Sequence, residues 1–245
     1  MKFILILFFT LNAIAYDAFI KPDTLYKTIQ DENLILLDAS DYASYNQSHI
    51  SGAIHVDISK FLKSKYARLS GNFSQKVENE MQKLGINETS HIVIYSRTNK
   101  DDYLNATYLA SIFLQHGFEN VSILDGGYMA WIFKYNDVVT SKALKPIAKG
   151  NFKAIYNAIV LVDDEYLNQN LEIVSAKSVK EIFFDDLTLK SELELKKLFE
   201  NELILSKETK VAIYRDTSLA AYANWFILYK MFDLKNMKIY KTTTE

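Results

Sequence analysis

The sequence predicts an α/β protein made of two domains in tandem, each a mostly parallel sheet flanked by helices, with the second domain degenerate and shortened. Short apolar runs of strand length alternate with segments that carry apolar residues at helical spacing, which is typical of βαβ units. The same series of elements recurs after about 118 residues, far longer than a solenoid period, so it indicates two copies of one domain. The 245 residues suffice for two such domains.

The first fifteen residues have the features of a signal peptide. Lys2 supplies a positive start, residues 3–11 are apolar, and Ala13-Ile14-Ala15 offers small residues for cleavage. We therefore expect cleavage after residue 15 and an exported chain, periplasmic in a bacterium and secreted otherwise. The alternative is an uncleaved anchor. No later stretch approaches the roughly 20 apolar residues of a membrane helix, so no transmembrane segment is predicted in the mature chain.

The first domain is predicted over residues 16–137. Compact apolar runs predict strands at 34–37, 91–95 and 121–124, and a Gly turn before a short strand is expected within 49–57. Helical spacing predicts the helices 22–29, 42–46, 77–84, 103–115 and 128–133, of which the third and fourth end before Gly85 and Gly117.

A linker is predicted over residues 138–152, where Pro146 and Gly150 interrupt the pattern, and the second domain over residues 153–245. There the strands are expected at 171–174, 210–214 and 237–240, with helices at 193–199 and 220–231. This copy is shorter than the first, and its predicted first strand is followed by Ser175, where the first copy has Asp38.

Composition excludes several classes of function. The formal net charge is only -2, so the chain has no basic face for nucleic acid. No Gly-rich phosphate loop or metal-ligand spacing is present, and neither a cofactor nor a metal site is predicted. The sequence also contains no cysteine, so disulfides and thiol chemistry are impossible.

Four segments in order resemble the signature segments of rhodanese domains: Leu36-Leu37-Asp38-Ala39, His49-Ile50-Ser51-Gly52-Ala53, Ile92-Val93-Ile94-Tyr95-Ser96-Arg97, and Ile123 to Trp131. The duplication resembles the tandem thiosulfate and 3-mercaptopyruvate sulfurtransferases. The resemblance implies a catalytic Cys directly after the second sheet strand, in a loop whose N–H groups and helix dipole stabilise a thiolate and an anionic sulfur donor.

The corresponding positions here are Ser96 and Arg215, so the resemblance implies a site without its nucleophile. An alcohol cannot carry a persulfide and is a poor nucleophile without an adjacent base. Asn99 and Lys100 stand where a Gly is expected, and Asp101-Asp102 places two carboxylates near the helix start, where they cap the helix and repel an anion. No catalytic residue is therefore predicted.

Two loops remain as candidate ligand sites, Ser96-Arg97-Thr98 in the first domain and Arg215, Thr217 and Ser218 in the second. Arg215 and free N–H groups before a helix suit a small anion, and the alternative is a solvated Arg paired with Asp216. The sequence thus predicts a catalytically inactive, exported rhodanese-like module that binds a small anion or a protein partner of unknown identity. The alternative is an enzyme that uses the same clefts for thiol-independent chemistry.

Overall fold

A computed structural model describes residues 17–62, 71–97, 100–142, 147–157, 161–162, 171–207, 211–214 and 218–240. The predicted signal peptide lies outside these residues. Within them, no helix combines the length and the apolar character that crossing a membrane requires.

The first half of the chain alternates strands and helices as expected. Its strands are β1 (Phe19–Ile20), β2 (Leu34–Asp38), β3 (His49–Ile50), β4 (Ile54–His55), β5 (His91–Tyr95), β6 (Val121–Leu124) and β7 (Val139–Thr140). Its helices are α1 (Pro22–Thr28), α2 (Tyr42–Gln47), α3 (Ser59–Leu62), α4 (Gly71–Lys83), α5 (Lys100–Gln115) and α6 (Gly127–Tyr135). Two helices begin earlier than predicted, α4 at Gly71 and α5 at Lys100, because their first turns are mostly polar and carry little apolar periodicity.

The second half has fewer elements. Its strands are β8 (Leu161–Val162), β9 (Leu171–Val174), β10 (Val211–Tyr214) and β11 (Met237–Tyr240), and its helices are α7 (Val179–Ile182), α8 (Glu192–Leu198), α9 (Glu200–Lys207) and α10 (Leu219–Met231). The sequence did not predict α7, α9 or the two-residue strands β1 and β8, since such short elements carry too few apolar repeats.

The two sheets repeat one strand order. The first runs β1-β6-β5-β2-β4 and the second β8-β11-β10-β9, and all their pairings are parallel. Strands β5 and β10 therefore hold the same interior place, and β2 corresponds to β9. The predicted α/β architecture is confirmed. Among the described residues, the second sheet has no counterpart of β4 beyond β9.

The two halves share a continuous apolar core. Helix α5 of the first packs against α10 of the second, where Tyr108 and Tyr222 meet edge to face with ring centroids 4.7 Å apart. The buried carboxylate of Asp125 also joins the halves: Oδ1 accepts a hydrogen bond from the Leu189 backbone N–H at 2.7 Å, and Oδ2 pairs with Lys21. Asp125 therefore connects the two halves of the chain.

Parts of the predicted linker lie against the first domain. Strand β7 pairs antiparallel with β3, and the backbone N–H of Gly150 donates to the Gln82 carbonyl at 2.8 Å. A Cβ at position 150 would lie 2.1 Å from the carbonyl oxygen of Ile86, so the close approach of the two backbones requires glycine. These contacts fix the path of residues 147–152 along α4.

Candidate binding site at the end of strand β5

Ser96 occupies the position where the resemblance implies a catalytic Cys. It directly follows β5, is fully buried, and its carbonyl accepts a hydrogen bond from the Tyr128 backbone N–H at 3.0 Å. Its Oγ is buried without a hydrogen-bond partner among the described residues. The hydroxyl is thus placed at the sheet edge by the backbone and left with unused hydrogen-bonding capacity.

Arg97 turns its guanidinium onto an aromatic ring. Its Cζ lies 4.0 Å from the centroid of the Tyr128 ring, a cation–π distance, while Nε and Nη2 are buried and find no acceptor within the described parts of the chain. Gly126, at φ +73°, forms the tight turn that brings Tyr128 to this place, and the Tyr128 hydroxyl is hydrogen-bonded to Ser48 Oγ at 2.7 Å. The Arg97 guanidinium is thus held against the ring, and its Nε and Nη2 donors have no acceptor among the described residues.

Asp38 ends the neighbouring strand β2 and lies in register with Tyr95. It is fully buried, its Oδ1 accepts from the Ser40 backbone N–H at 2.9 Å, and its Oδ2 has no partner with full hydrogen-bond geometry in the described residues, although the carboxylate interacts with the Tyr95 side chain. Burial, and secondly the Asp38 charge, hold the pKa of Tyr95 well above its ordinary value. The neutral Tyr95 hydroxyl oxygen accepts from the Ile50 backbone N–H at 3.1 Å.

Two histidines near this edge are tied to the backbone. His49 Nδ1 lies 2.8 Å from the Tyr45 carbonyl, and because a carbonyl only accepts, Nδ1 carries the proton. Its Nε2 is buried and unpaired among the described residues, and its ring stacks on Tyr45. His55 Nε2 approaches the Ser40 carbonyl at 3.0 Å. The described residues contain no group of three or more His, Asp or Glu side chains suited to a metal ion.

Unpaired buried polar atoms therefore gather at the carboxyl end of β2 and β5: Asp38 Oδ2, Ser40 Oγ, Ser96 Oγ, and Arg97 Nε and Nη2. Folded proteins leave few such atoms unsatisfied, so this concentration suits bound water or a polar ligand. A cleft of about 570 Å³ opens beside Ser40 and is lined also by Tyr42, His55, Asp57 and Asn105. Neither Ser96 nor Arg97 is among its described lining residues.

The structure places only some of the predicted ligand residues. Thr98, Arg215 and Thr217 lie outside the described residues, as does Asn99. Ser218 is the N-cap of α10, where its Oγ accepts from the Ala221 backbone N–H at 3.2 Å. Asp101 and Asp102 lie in the first turn of α5, as the sequence suggested. The predicted binding role of these loops stays a prediction.

Sequence reasoning missed the partner of Arg97 and the unpaired carboxylate oxygen of Asp38. Tyr128 lies thirty-one residues beyond Arg97 along the chain, and no periodicity links the two. The available signal was the Gly126-Gly127-Tyr128 turn, since it follows the next strand of the sheet and so returns to the same edge.

Comparisons with known proteins agree with the architecture. The profile of the Rhodanese-like domain matches residues 21–134. A Caenorhabditis elegans protein named as a thiosulfate sulfurtransferase is 32% identical over 124 residues, which are 50% of this chain and 37% of that protein. The 3-mercaptopyruvate sulfurtransferase of Escherichia coli (strain K12) is 27% identical over 164 residues, 61% of this chain and 56% of that enzyme. The chain thus matches about half or less of the length of these relatives.

Solved structures show the same fold. The crystal structure of SseA from Escherichia coli, a 3-mercaptopyruvate sulfotransferase, superposes with a TM-score of 0.72 at 21% identity, covering 94% of this chain and 100% of that one. The anaerobic ergothioneine biosynthesis enzyme of Chlorobium limicola gives 0.73 at 15% identity, covering 93% of this chain and 67% of that one. Residues 21–134 thus match the Rhodanese-like domain, and the solved structures show the same fold over most of a chain that contains no cysteine.

Proposed function

We propose that this protein is an exported, non-enzymatic binding module that uses the rhodanese scaffold to hold an anionic group at Ser96 and Arg97. The carrying observation is the combination at the end of β5: the nucleophile position is a buried Ser, while the Ser96 hydroxyl and two Arg97 nitrogens have no partner in the described residues. Such donors suit the binding of a hydrogen-bond acceptor rather than the catalysis of a reaction.

Sulfur transfer through a persulfide is excluded by chemistry. The intermediate needs a protein sulfur that becomes a thiolate, and the only sulfur atoms in the sequence are methionine thioethers, which have no proton to lose. Tyr95 does not supply a base for another nucleophile, because its raised pKa keeps its hydroxyl protonated near neutral pH. The site therefore supports binding better than acyl or sulfur chemistry.

Activity assays test the proposal that this protein is not an enzyme. Transfer of sulfur from thiosulfate to cyanide is expected at the buffer background, and Ser96→Cys alone should restore little activity, because Asp101 and Asp102 oppose the favourable field of the helix N-terminus. Ser96→Cys combined with Asp101→Gly and Asp102→Arg should gain activity if the loop charge was part of the loss. Turnover by the unmodified protein, free of contaminating rhodanese, would refute the proposal.

Calorimetry tests the binding half. Inorganic thiosulfate and sulfate should bind to the unmodified protein, Arg97→Met should lose that binding, and Lys83→Met, which removes an exposed cation on α4, should keep it. If neither anion binds while the protein captures an acidic peptide in an Arg97-dependent way, the anionic group belongs to a partner. Binding that survives Arg97→Met contradicts the site.

Export is a separate part of the proposal and rests on Lys2, the apolar run and Ala13-Ile14-Ala15. Mass spectrometry of the native protein should find a mature chain that begins near Tyr16 in the fraction outside the cytoplasm. An intact Met1 on a cytosolic protein would remove export from the proposal and leave the binding site untouched.

A further inference from the structure

A second cleft lies in the other half of the chain, at the carboxyl end of β9. It has a volume of about 460 Å³ and opens between the loop that follows β9 and helix α9. Its lining includes Ile173, Lys177, Asn201, Glu202 and Ile204. None of the lining residues that the structure describes belongs to the Ser96 and Arg97 site.

Glu202 is an unsatisfied carboxylate in the wall of this cleft. It is only 1% exposed, and neither carboxylate oxygen has a hydrogen-bond partner among the described residues. Its one described charge partner is Lys177, whose Nζ lies 3.4 Å from Oε1 in an ion pair without hydrogen-bond geometry. A buried carboxylate that lacks donors is costly, so this side chain is suited to a ligand that brings them.

The cleft wall is held in place by the fold. Buried Asn224 of α10 accepts from the Lys177 backbone N–H and donates to the Lys177 carbonyl, both at 2.8 Å. The next residue, Ser178, begins α7 with a capping box closed by Glu181. The end of the loop that leads into α7 is therefore anchored, and the backbone position of Lys177 does not depend on a ligand.

Charge and apolar surface define the ligand. The charged residues in the described lining of the cleft are Glu172, Glu202 and Lys177, which together contribute a net charge of -1. Ile173 and Ile204 line it as well and are 55% and 47% exposed. A cationic head that donates several hydrogen bonds would satisfy Glu202, and an aliphatic stem would cover the two isoleucines.

We propose that this cleft binds an aliphatic amine or guanidine as its cation, with the charged head on Glu202 and the stem on Ile173 and Ile204. Lys177 balances Glu202 while the cleft is empty and opposes the ligand through like-charge repulsion. The cation is either a free small molecule or a Lys or Arg side chain of a partner, since both present the same chemistry.

Nuclear magnetic resonance titration of the full chain with n-butylguanidinium tests this site. Saturable shifts are expected at the amides of residues 173–177 and 201–205, and none with butyramide, which has a similar stem without charge. Glu202→Gln should weaken binding by about tenfold or more, as expected for the loss of a charge-assisted contact. Glu200→Gln, an exposed carboxylate on the same helix, should leave it unchanged.

Lys177→Met separates a ligand site from a structural ion pair. We expect about threefold tighter binding of the cation, because a repelling charge is removed. If Glu202→Gln fails to fold, this variant decides: equal or weaker binding overturns the proposal. Equal binding of butyramide, no shifts with the cation, or a Glu202→Gln variant that binds normally would also overturn it.

An Arg-containing peptide distinguishes the two sources of the cation. Competition between the peptide and n-butylguanidinium at the same amides assigns the cleft to a side chain of a partner. Binding of n-butylguanidinium without competition assigns it to a free small molecule. Neither outcome depends on the Ser96 and Arg97 site, which lies in the other half of the chain.

Discussion

Strands β2 and β9 hold the same place in their sheets but face different surroundings. In the first domain β4 pairs with β2, Leu37 is fully buried, and the strand ends in the fully buried Asp38. In the second, β9 is the outermost described strand, Ile173 is 55% exposed, and the strand is followed by the exposed Ser175. The first sheet thus has one additional strand, β4, beside β2, whereas the second sheet opens into a cleft beside β9.

This difference shows where each copy carries its polar chemistry. In the first domain several unpaired polar atoms lie around Ser96 at the ends of β2 and β5, while others lie elsewhere, on Ser74, Gln115 and His116. In the second, an unpaired carboxylate lies beside β9, in space left beside an uncovered strand. The copies have kept one strand order and diverged in the surfaces that border it.

Truncation of equivalent apolar residues gives the largest contrast. Leu37→Ala should lower the free energy of unfolding by about 2–5 kcal/mol, because it leaves a cavity in a closed core. Ile173→Ala should change it by about 0.5 kcal/mol, since more than half of that side chain is already exposed. Urea unfolding of both variants measures the two values, and similar losses would contradict the open edge at β9.

The residues that begin β5 and β10 differ in their response to pH. His91 begins β5, and burial lowers its pKa from 6.5 to about 4, whereas Val211 begins β10 and cannot titrate. A lowered histidine pKa gives stability that is present above pH 6.5 and lost as the pH falls from 6.5 towards 4, on the order of 3 kcal/mol.

Stability curves between pH 7 and pH 4 test this for the unmodified protein and His91→Gln. The variant should lose part of the slope in that window, because burial also lowers the pKa of His116, which contributes with the same sign. An unchanged slope would show that other groups produce the acid sensitivity.

Buried polar residues in the two packed helices should also differ. Asn224→Leu should cost about 2 kcal/mol, because it leaves the Lys177 backbone N–H and carbonyl without their partner. Thr107→Val in α5 removes only a hydroxyl that donates to the Leu104 carbonyl of its own helix, and should cost less than about 1 kcal/mol. Chemical unfolding of both variants measures the two losses of stability. A larger loss for Thr107→Val than for Asn224→Leu would contradict the role of Asn224 in holding the Lys177 backbone.

Helix caps give the smallest expected effect. In the second domain α8 begins with a capping box formed by Ser191 and Glu194, while α6 of the first domain begins at Gly126 in a left-handed turn. Ser191→Ala should cost about 1 kcal/mol. Thermal unfolding monitored by circular dichroism should show the loss, and Ser191→Asp, which keeps a cap acceptor, should restore most of it.

Much of the site could be anticipated from local pattern, and some of it could not. Ser96 and Arg97 follow a buried strand, so the sequence placed them at the sheet edge. The sequence did not predict that the Tyr128 ring lies against the Arg97 guanidinium. Nor did it predict that Asp38 Oδ2 lacks a hydrogen-bond partner with full geometry among the described residues. Asn224 interrupts an otherwise apolar helix and was a signal that the sequence analysis did not use.

The sequence by itself determined the alternation of strands and helices, the duplication and the absence of a thiol, because periodicity and residue type are local properties. Tertiary structure decided which polar groups meet: Asp125 with Leu189, Asn224 with the Lys177 backbone, and Glu202 with Lys177. These contacts join residues far apart in the chain. Their geometry follows from how the sheets and helices pack, so no local pattern encodes it.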